Sequence, residues 1–331
     1  MRSLGKTDIK LNRVGFGGIP IQRITQQETN VVIDELISNG VNFIDTARGY
    51  TVSEEYIGNA IDGKREQFFI ATKSMSRDYE SMKNDIEISL KNLKTSYIDL
   101  YQLHNVKPEE YETIFNDDKA YRALLEAKKE GKVKYIGITS HGLETIEKAI
   151  EDEKFSTIQF PYNIIEDQAD EAFKKAHEKG IGTIVMKPLA GGAIDDAQLA
   201  IKYILSKEYI DVVIPGMENI DQVRENVSVI KDINITNEDE IKIKSIRNSM
   251  GKRFCRRCEY CLPCPLNINI PQNFLLEGYY TRYNLKEWAK ERYASLDVKA
   301  SACVECGLCE TKCPYELPIR EMLKDVSAKL D

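Results

Sequence analysis

Eight short β-branched runs punctuate the first 250 residues, and each is followed by a stretch with helical periodicity. The runs fall at 13–17, 42–46, 68–73, 98–104, 135–139, 157–160, 183–187 and 212–215. Most are nearly continuous in apolar residues, as strands covered on both faces must be. Between them, Thr25 with Glu28 three residues later reads as a capping box opening a helix that stops near Gly40. Met82, Ile86, Leu90 and Leu93 form an apolar stripe at helical spacing. Gly131 and Gly180 stand where helices should stop before the next strand. Eight strand-helix units in this length are the arithmetic of an α/β chain folded as a (β/α)8 TIM barrel. An open doubly wound sheet would want a GxGxxG turn after an early strand. Here the first run leads into Gly15-Phe16-Gly17-Gly18-Ile19-Pro20, with proline where the third glycine belongs.

All eight cysteines lie at or beyond position 255. This divides the chain into a barrel over 1–250 and a second domain over 251–331. Nothing supports an oxidising compartment, so the clustering points to metal rather than disulfides. Cys255, Cys258, Cys261 and Cys264 form C-x2-C-x2-C-x2-C, followed by Pro265. Cys303, Cys306, Cys309 and Cys313 form C-x2-C-x2-C-x3-C, followed by Pro314. The second run has the spacing of a bacterial ferredoxin, and the first is one residue shorter before its last cysteine. Structural zinc sites pair CxxC knuckles across longer spacers, whereas three thiolates spaced by two suit the corners of a cubane. Eight thiolates can hold two [4Fe-4S] clusters, and in two-cluster ferredoxins the fourth cysteine of each run serves the other cluster. The stretch between Cys264 and Cys303 is too long for a compact ferredoxin hairpin. Segments 271–277 and 285–290 within it read as helices, so the second domain is expected to be small, mainly α-helical and ferredoxin-like.

Composition excludes other classes of function. Hydrophobic residues at 42% and charged residues at 30% provide for a sizeable core without a disorder signature. A net charge of -7 argues against nucleic acid as a partner. No run approaches the ~18 apolar residues that would span a bilayer, so no membrane partner is expected. The opening MRSLGKTDIKLNRVG lacks the apolar region of a signal peptide. The expected compartment is therefore the cytoplasm.

In a barrel the chemistry belongs at the C-terminal ends of the strands. Asp45 ends the second run, Lys73 the third and His104 the fourth, with Tyr50 in the loop five residues after Asp45. Asp45 alone could cap a helix, Lys73 could be a solvated loop charge and Tyr50 a packing aromatic. Three consecutive strand ends aiming an acid, an ammonium and an imidazole into one mouth make coincidence a poor explanation. His104 is also one of only three histidines. The chemistry this set suits is carbonyl reduction. A ketone that receives hydride becomes an alkoxide and needs a proton donor. Tyrosine, with an ordinary pKa near 10, becomes a better acid beside a lysine ammonium that stabilises the phenolate. Asp45 can hold Lys73, and His104 can donate a hydrogen bond to the carbonyl oxygen as charge develops there.

These residues resemble the aldo-keto reductases. The resemblance covers the barrel and is carried by Leu4-Gly5-Lys6-Thr7, Asp45 with Tyr50, Lys73, and Leu103-His104. It implies Tyr50 as proton donor, Lys73 and Asp45 as its tuners, and His104 as the residue that orients the carbonyl. It also implies a nicotinamide cofactor, NADP or NAD. Ser140 and His141 stand in the place of a Ser-Asn pair that holds the carboxamide, with histidine replacing asparagine. Gln159 matches a glutamine that binds the same amide. Met186 falls where many members stack an aromatic ring on the nicotinamide. Lys187, Pro188, Leu189 and Gly191 belong to a loop that approaches the pyrophosphate. Pro215, Gly216 and Met217, with Gln222, Glu225 and Asn226, match the segment that holds the adenosine end. The family often has lysine at the position of Gly216 and arginine at that of Gln222, both paired with the 2'-phosphate of NADPH. Here the nearest base in the segment is Arg224. A barrel followed by a cysteine-rich tail resembles the subgroup of this family with a ferredoxin-type C-terminus.

The two halves pose a question of electron counting, because nicotinamide moves two electrons as hydride and each cluster moves one. Three readings follow. The chain is an NAD(P)H-dependent reductase of a small-molecule carbonyl, with clusters that are structural or exchange electrons with a ferredoxin or another electron-transfer protein. Or it is a ferredoxin-linked reductase whose clusters feed the barrel, through a flavin bound by the loops after strands seven and eight. Or it is a non-catalytic electron carrier or redox-sensing subunit. The intact tetrad argues against the third.

Overall fold

A computed structural model describes every residue except 251, 252, 258, 284 and 314, and of Met250 only the backbone. Two short strands, β1 (Arg2–Ser3) and β2 (Lys10–Leu11), pair antiparallel as a hairpin that the periodicity did not announce. Eight parallel strands follow: β3 (Phe16–Gly17), β4 (Phe43–Asp45), β5 (Phe69–Ser74), β6 (Ile98–Leu103), β7 (Val133–Thr139), β8 (Thr157–Pro161), β9 (Gly182–Met186) and β10 (Val212–Val213). Each pairs with the next in chain order.

The sheet closes on itself. Val14 bridges Val213 and Gly17 bridges Gly216, both parallel. Gly15 N–H donates to the Val213 carbonyl at 2.8 Å, and Gly17 N–H to the Pro215 carbonyl at 2.9 Å. The first and last runs, read as strands over 13–17 and 212–215, are thus regular strand for only two residues each. Closure holds the rest through isolated bridges. Leu4, Ile9 and Leu11 of the N-terminal hairpin pack with Phe43, Leu100 and Val212 from the barrel interior. The hairpin therefore plugs the end of the barrel where the strands begin, leaving the other end for chemistry.

The helices lie where the apolar period places them. Thr25 accepts from Glu28 N–H, and Glu28 accepts from Thr25 N–H at 2.7 Å, completing the capping box that opens the helix Gln26–Ser38. Met82, Ile86 and Leu90 are buried along the helix Tyr79–Asn92. Gly131 and Gly180 adopt φ of 76° and 71° where their helices stop, the left-handed conformation that glycine enters without steric cost.

The chain divides into two compact units. The first comprises 1–163, 167–188 and 196–235, and the second comprises 164–166, 189–195 and 236–331. The second unit is helical, with the helices Asn237–Met250, Ile270–Thr281, Lys286–Ala294, Leu308–Lys312 and Ile319–Leu330. Its core gathers Ile270, Phe274, Tyr293, Leu317, Leu323 and Val326. Among the described residues no helix is long and apolar enough to cross a membrane.

Candidate active site and iron-sulfur centres

β4 ends on Asp45, and Lys73 is the fifth residue of the neighbouring β5. Both side chains are almost wholly buried, at 3% and 1% exposure. Lys73 Nζ donates to Asp45 Oδ1 at 2.5 Å and to the Thr46 carbonyl at 2.8 Å. Tyr50 lies in the turn before the helix Ser53–Ala60, its N–H donating to the Ala47 carbonyl at 3.0 Å. The Lys73 ammonium sits 5.1 Å from the centre of the Tyr50 ring. His104, just past β6, meets that ring edge-on with centroids 6.0 Å apart. The structure therefore brings Asp45, Tyr50, Lys73 and His104 together at the C-terminal mouth of the barrel.

Burial pulls the Lys73 ammonium below its ordinary value, against the opposing pull of the Asp45 charge and hydrogen bond. His104 is held well below the usual imidazole range by burial, and then by the positive charges of Lys73, Arg77 and Lys187. A neutral imidazole follows near neutral pH. Its Nδ1 is buried without a partner among the described residues.

Three contributors lay outside the sequence reading. Gln102, fully buried on β6, donates from Nε2 to Asp45 Oδ2 at 3.1 Å, so both carboxylate oxygens of Asp45 are engaged. A lone amide within the apolar run of β6 was the available signal. Arg77 donates from Nη2 to the His104 carbonyl at 2.8 Å and from Nε to Glu110 at 3.0 Å, fixing the chain where the imidazole leaves the strand. Glu54, 1% exposed, accepts from Arg48 at 2.9 Å and from Thr72 and Ser89 at 2.7 Å each. It ties the helix after Tyr50 to the strand that carries Lys73.

The expected cofactor residues fall into several environments. Gln159 on β8 is buried, with its Oε1 unpartnered among the described residues. The Ser140 hydroxyl donates to the Val106 carbonyl at 2.7 Å and accepts from Gly142 N–H at 3.0 Å, so it braces its own turn. His141 Nδ1 lies 2.8 Å from Asn105 Oδ1. Met186 ends β9, and Lys187 follows in a left-handed conformation with its carbonyl accepting from Asn163 Nδ2 at 3.0 Å. Pro188 is the last residue of its segment in the first unit, while Leu189 and Gly191 belong to the second. A Cβ at Gly191 would lie 2.8 Å from the Tyr283 hydroxyl, so a side chain there would require Tyr283 to move, and the φ of 69° favours glycine. The Pro215 carbonyl and Gly216 seal the barrel against Gly17, and Met217 is fully buried. Gln222 accepts from Glu218 N–H at 2.8 Å. Asn226 is 2% exposed with an unpartnered Oδ1 among the described residues, whereas Glu225 is exposed.

In the second unit the cysteines ring two cavities. One is lined by Cys303, Cys306 and Cys309 together with Cys264. The other is lined by Cys255 and Cys261 together with Cys313. Cys258 lies outside the described residues. The last cysteine of each run thus stands at the cavity of the other run, even though the first run is a residue shorter. Cys261 lines both cavities. Among the described residues no three Cys, His, Asp or Glu side chains converge on one ion-sized point. The two runs also share a backbone device. Arg257 and Glu259 have φ of 57° and 65°, and Glu305 and Gly307 have 57° and 79°. These left-handed residues turn the chain at matching places, and successive N–H groups in such turns form concave anion cradles. Glu305 N–H lies 3.4 Å from Cys303 Sγ.

The model of the aldo/keto reductase family matches residues 13–198, more than half of the chain. The chain belongs to the aldo/keto reductase family. A second model, the 4Fe-4S dicluster domain, matches residues 254–318 of this reductase. The protein is an oxidoreductase that joins a reductase barrel to a 4Fe-4S domain. Among curated proteins it is similar to the uncharacterized oxidoreductase YqkF of Bacillus subtilis, 26% identical over 294 residues, covering 73% of this chain and 94% of the relative. It is also similar to L-galactose dehydrogenase of Arabidopsis thaliana, 24% identical over 297 residues, covering 74% and 92%. Among solved structures, the holo form of an aldo-keto reductase from Bacillus halodurans superposes with a TM-score of 0.66 at 25% identity, covering 74% of this reductase and 95% of that chain.

Proposed function

We propose that the barrel reduces a small-molecule carbonyl to an alcohol with NAD(P)H, and that Tyr50 supplies the proton. The observation that carries this is the Lys73 ammonium, buried between Asp45 and the Tyr50 ring. When bound, the reduced nicotinamide supplies the hydride that reaches the carbonyl carbon. The residues do the rest. Tyr50 passes its hydroxyl proton to the carbonyl oxygen, and the adjacent ammonium stabilises the phenolate left behind. Asp45 counters the desolvation of Lys73 and fixes it in place, with Gln102 holding the far carboxylate oxygen. Neutral His104 donates a hydrogen bond to the same carbonyl oxygen as negative charge grows there.

Buried acceptors support a dinucleotide at this mouth. Gln159 Oε1 and Asn226 Oδ1 are desolvated without partners among the described residues, and such atoms are costly unless a ligand donor meets them. An amide or an exocyclic amine, both present in a nicotinamide dinucleotide, is such a donor. Gln159 and Met186 would hold the nicotinamide end, Lys187 and Pro188 the pyrophosphate, and 215–226 the adenosine.

The clusters, in this reading, exchange single electrons with a partner protein, such as a ferredoxin. Exposed Cys306 flanked by exposed Val304 and Leu308 supports it, because one-electron transfer needs a carrier to come close to a cluster. The experiment is aldehyde and ketone reduction by anaerobically purified protein with NADH and NADPH. Tyr50→Phe should lose turnover while keeping dinucleotide affinity. Full activity in that variant would overturn the assignment.

A further inference from the structure

We infer that the segment after the last barrel strand selects NADH over NADPH, with Glu218 as the residue that sets the preference. This rests on the dinucleotide reading above. The two cofactors differ by one phosphate on the adenosine ribose. A phosphate there needs cations, best supplied as a bidentate guanidinium. A free ribose diol needs an acceptor, which an acidic side chain provides.

Segment 215–226 carries three acids, Glu218, Asp221 and Glu225, against one base, Arg224. That base is already engaged. Arg224 Nε and Nη2 reach the two oxygens of Glu35 at 2.8 and 3.2 Å. The other nearby guanidinium, Arg23, directs Nε and Nη2 to Glu218 Oε2 at 3.2 and 2.8 Å. Each cation is matched by a carboxylate, so a phosphate would compete with an existing ion pair and meet the surplus acids.

Two further positions in the segment carry no base. A Cβ at Gly216 would lie 2.7 Å from Pro20 Cγ and 3.1 Å from Pro20 Cδ, so no side chain fits unless the proline moves. The Gln222 side chain is turned back to accept from Glu218 N–H at 2.8 Å, and its own N–H is capped by Asn219 at 3.0 Å. These bonds pin the turn that presents Glu218, whose carboxylate remains 35% exposed. The buried Asn226 Oδ1 in the same segment, without a partner among the described residues, is an independent sign that a ligand donor fits here. The segment thus combines acceptors for a neutral adenosine with a base, Arg224, that is already paired with Glu35.

The test is titration of the anaerobic full-length protein with NADH and NADPH, followed by fluorescence, with 5'-ADP and 2',5'-ADP as competitors. We expect NADH to bind at least about tenfold tighter, the scale of a like-charge penalty in a recognition site, and 5'-ADP to displace it where 2',5'-ADP does not. Glu218→Gln should narrow the ratio, because it removes the repelling charge and releases Arg23. Glu218→Arg should invert it. Equal or tighter binding of NADPH by the unaltered protein overturns the inference, as does a ratio unchanged in Glu218→Gln. If neither dinucleotide binds, the dinucleotide reading itself fails and takes this inference with it.

Discussion

Cys313, the last cysteine of the second run, lines the same cavity as Cys255, the first cysteine of the first run. Cys264 makes the reciprocal crossing into the cavity of Cys303, Cys306 and Cys309. A cluster in each cavity would therefore bind together two pieces of chain that are far apart in sequence.

This crossing predicts which cluster each substitution removes. Cys313→Ser should weaken the cluster at Cys255 and Cys261, and Cys264→Ser the one at Cys303, Cys306 and Cys309. Each should retain about four of about eight irons, read by iron and sulfide analysis and by the electron paramagnetic resonance of the cluster that remains. Loss of the same cluster in both variants would refute the crossing. Because metal binding is coupled to folding, both variants should also unfold their helical unit at lower temperature.

Tyr50 and Lys73 should behave as one device. Tyr50→Phe should lower turnover at least ~10²-fold, the usual contribution of a positioned general acid. Lys73→Met should be comparably severe, since it removes the charge beside the phenolate and leaves Asp45 buried without its partner. The double variant should lose little more than either single one, because both act on one proton transfer. Steady-state kinetics on the three variants decides this. Multiplicative losses would show that the two residues act separately.

The depressed imidazole of His104 makes a prediction about pH. A group whose folded pKa lies below its unfolded value takes up protons first in the unfolded chain. Stability should therefore fall as pH drops through roughly 6.5, the ordinary histidine value, and level off only below the folded pKa. Chemical denaturation from pH 5 to 8 should show this slope, and His104→Ala should flatten it. For the same reason, turnover should show no limb near pH 6.5 from His104 protonation. A histidine limb there that vanishes in His104→Ala would mean the imidazole titrates normally.

The proposed separation of one-electron and hydride routes leads to a fourth expectation. Cys309→Ser should abolish reduction driven by a one-electron donor and leave hydride-driven reduction intact. Activity assays with dithionite-reduced viologen and with NADH distinguish the two routes. Equal loss of both would assign the clusters a structural role.

Much of this was legible in the chain because it depends on local order. The alternation of strand and helix follows from which residues recur at periods near two and near 3.6. Asp45, Lys73 and His104 are close in space because they end successive strands of a parallel barrel. Cysteine spacing identified the cluster type because the ligands of one run lie within a few residues of each other. What tertiary structure alone decided were meetings between distant atoms. Barrel closure through Val14 and Val213, the amide of Gln102 on Asp45 and the capture of Arg224 by Glu35 are of this kind. No period encodes them. Each depends on how two surfaces that are separately well formed come to face one another, and on which side-chain atoms remain unsatisfied when they do.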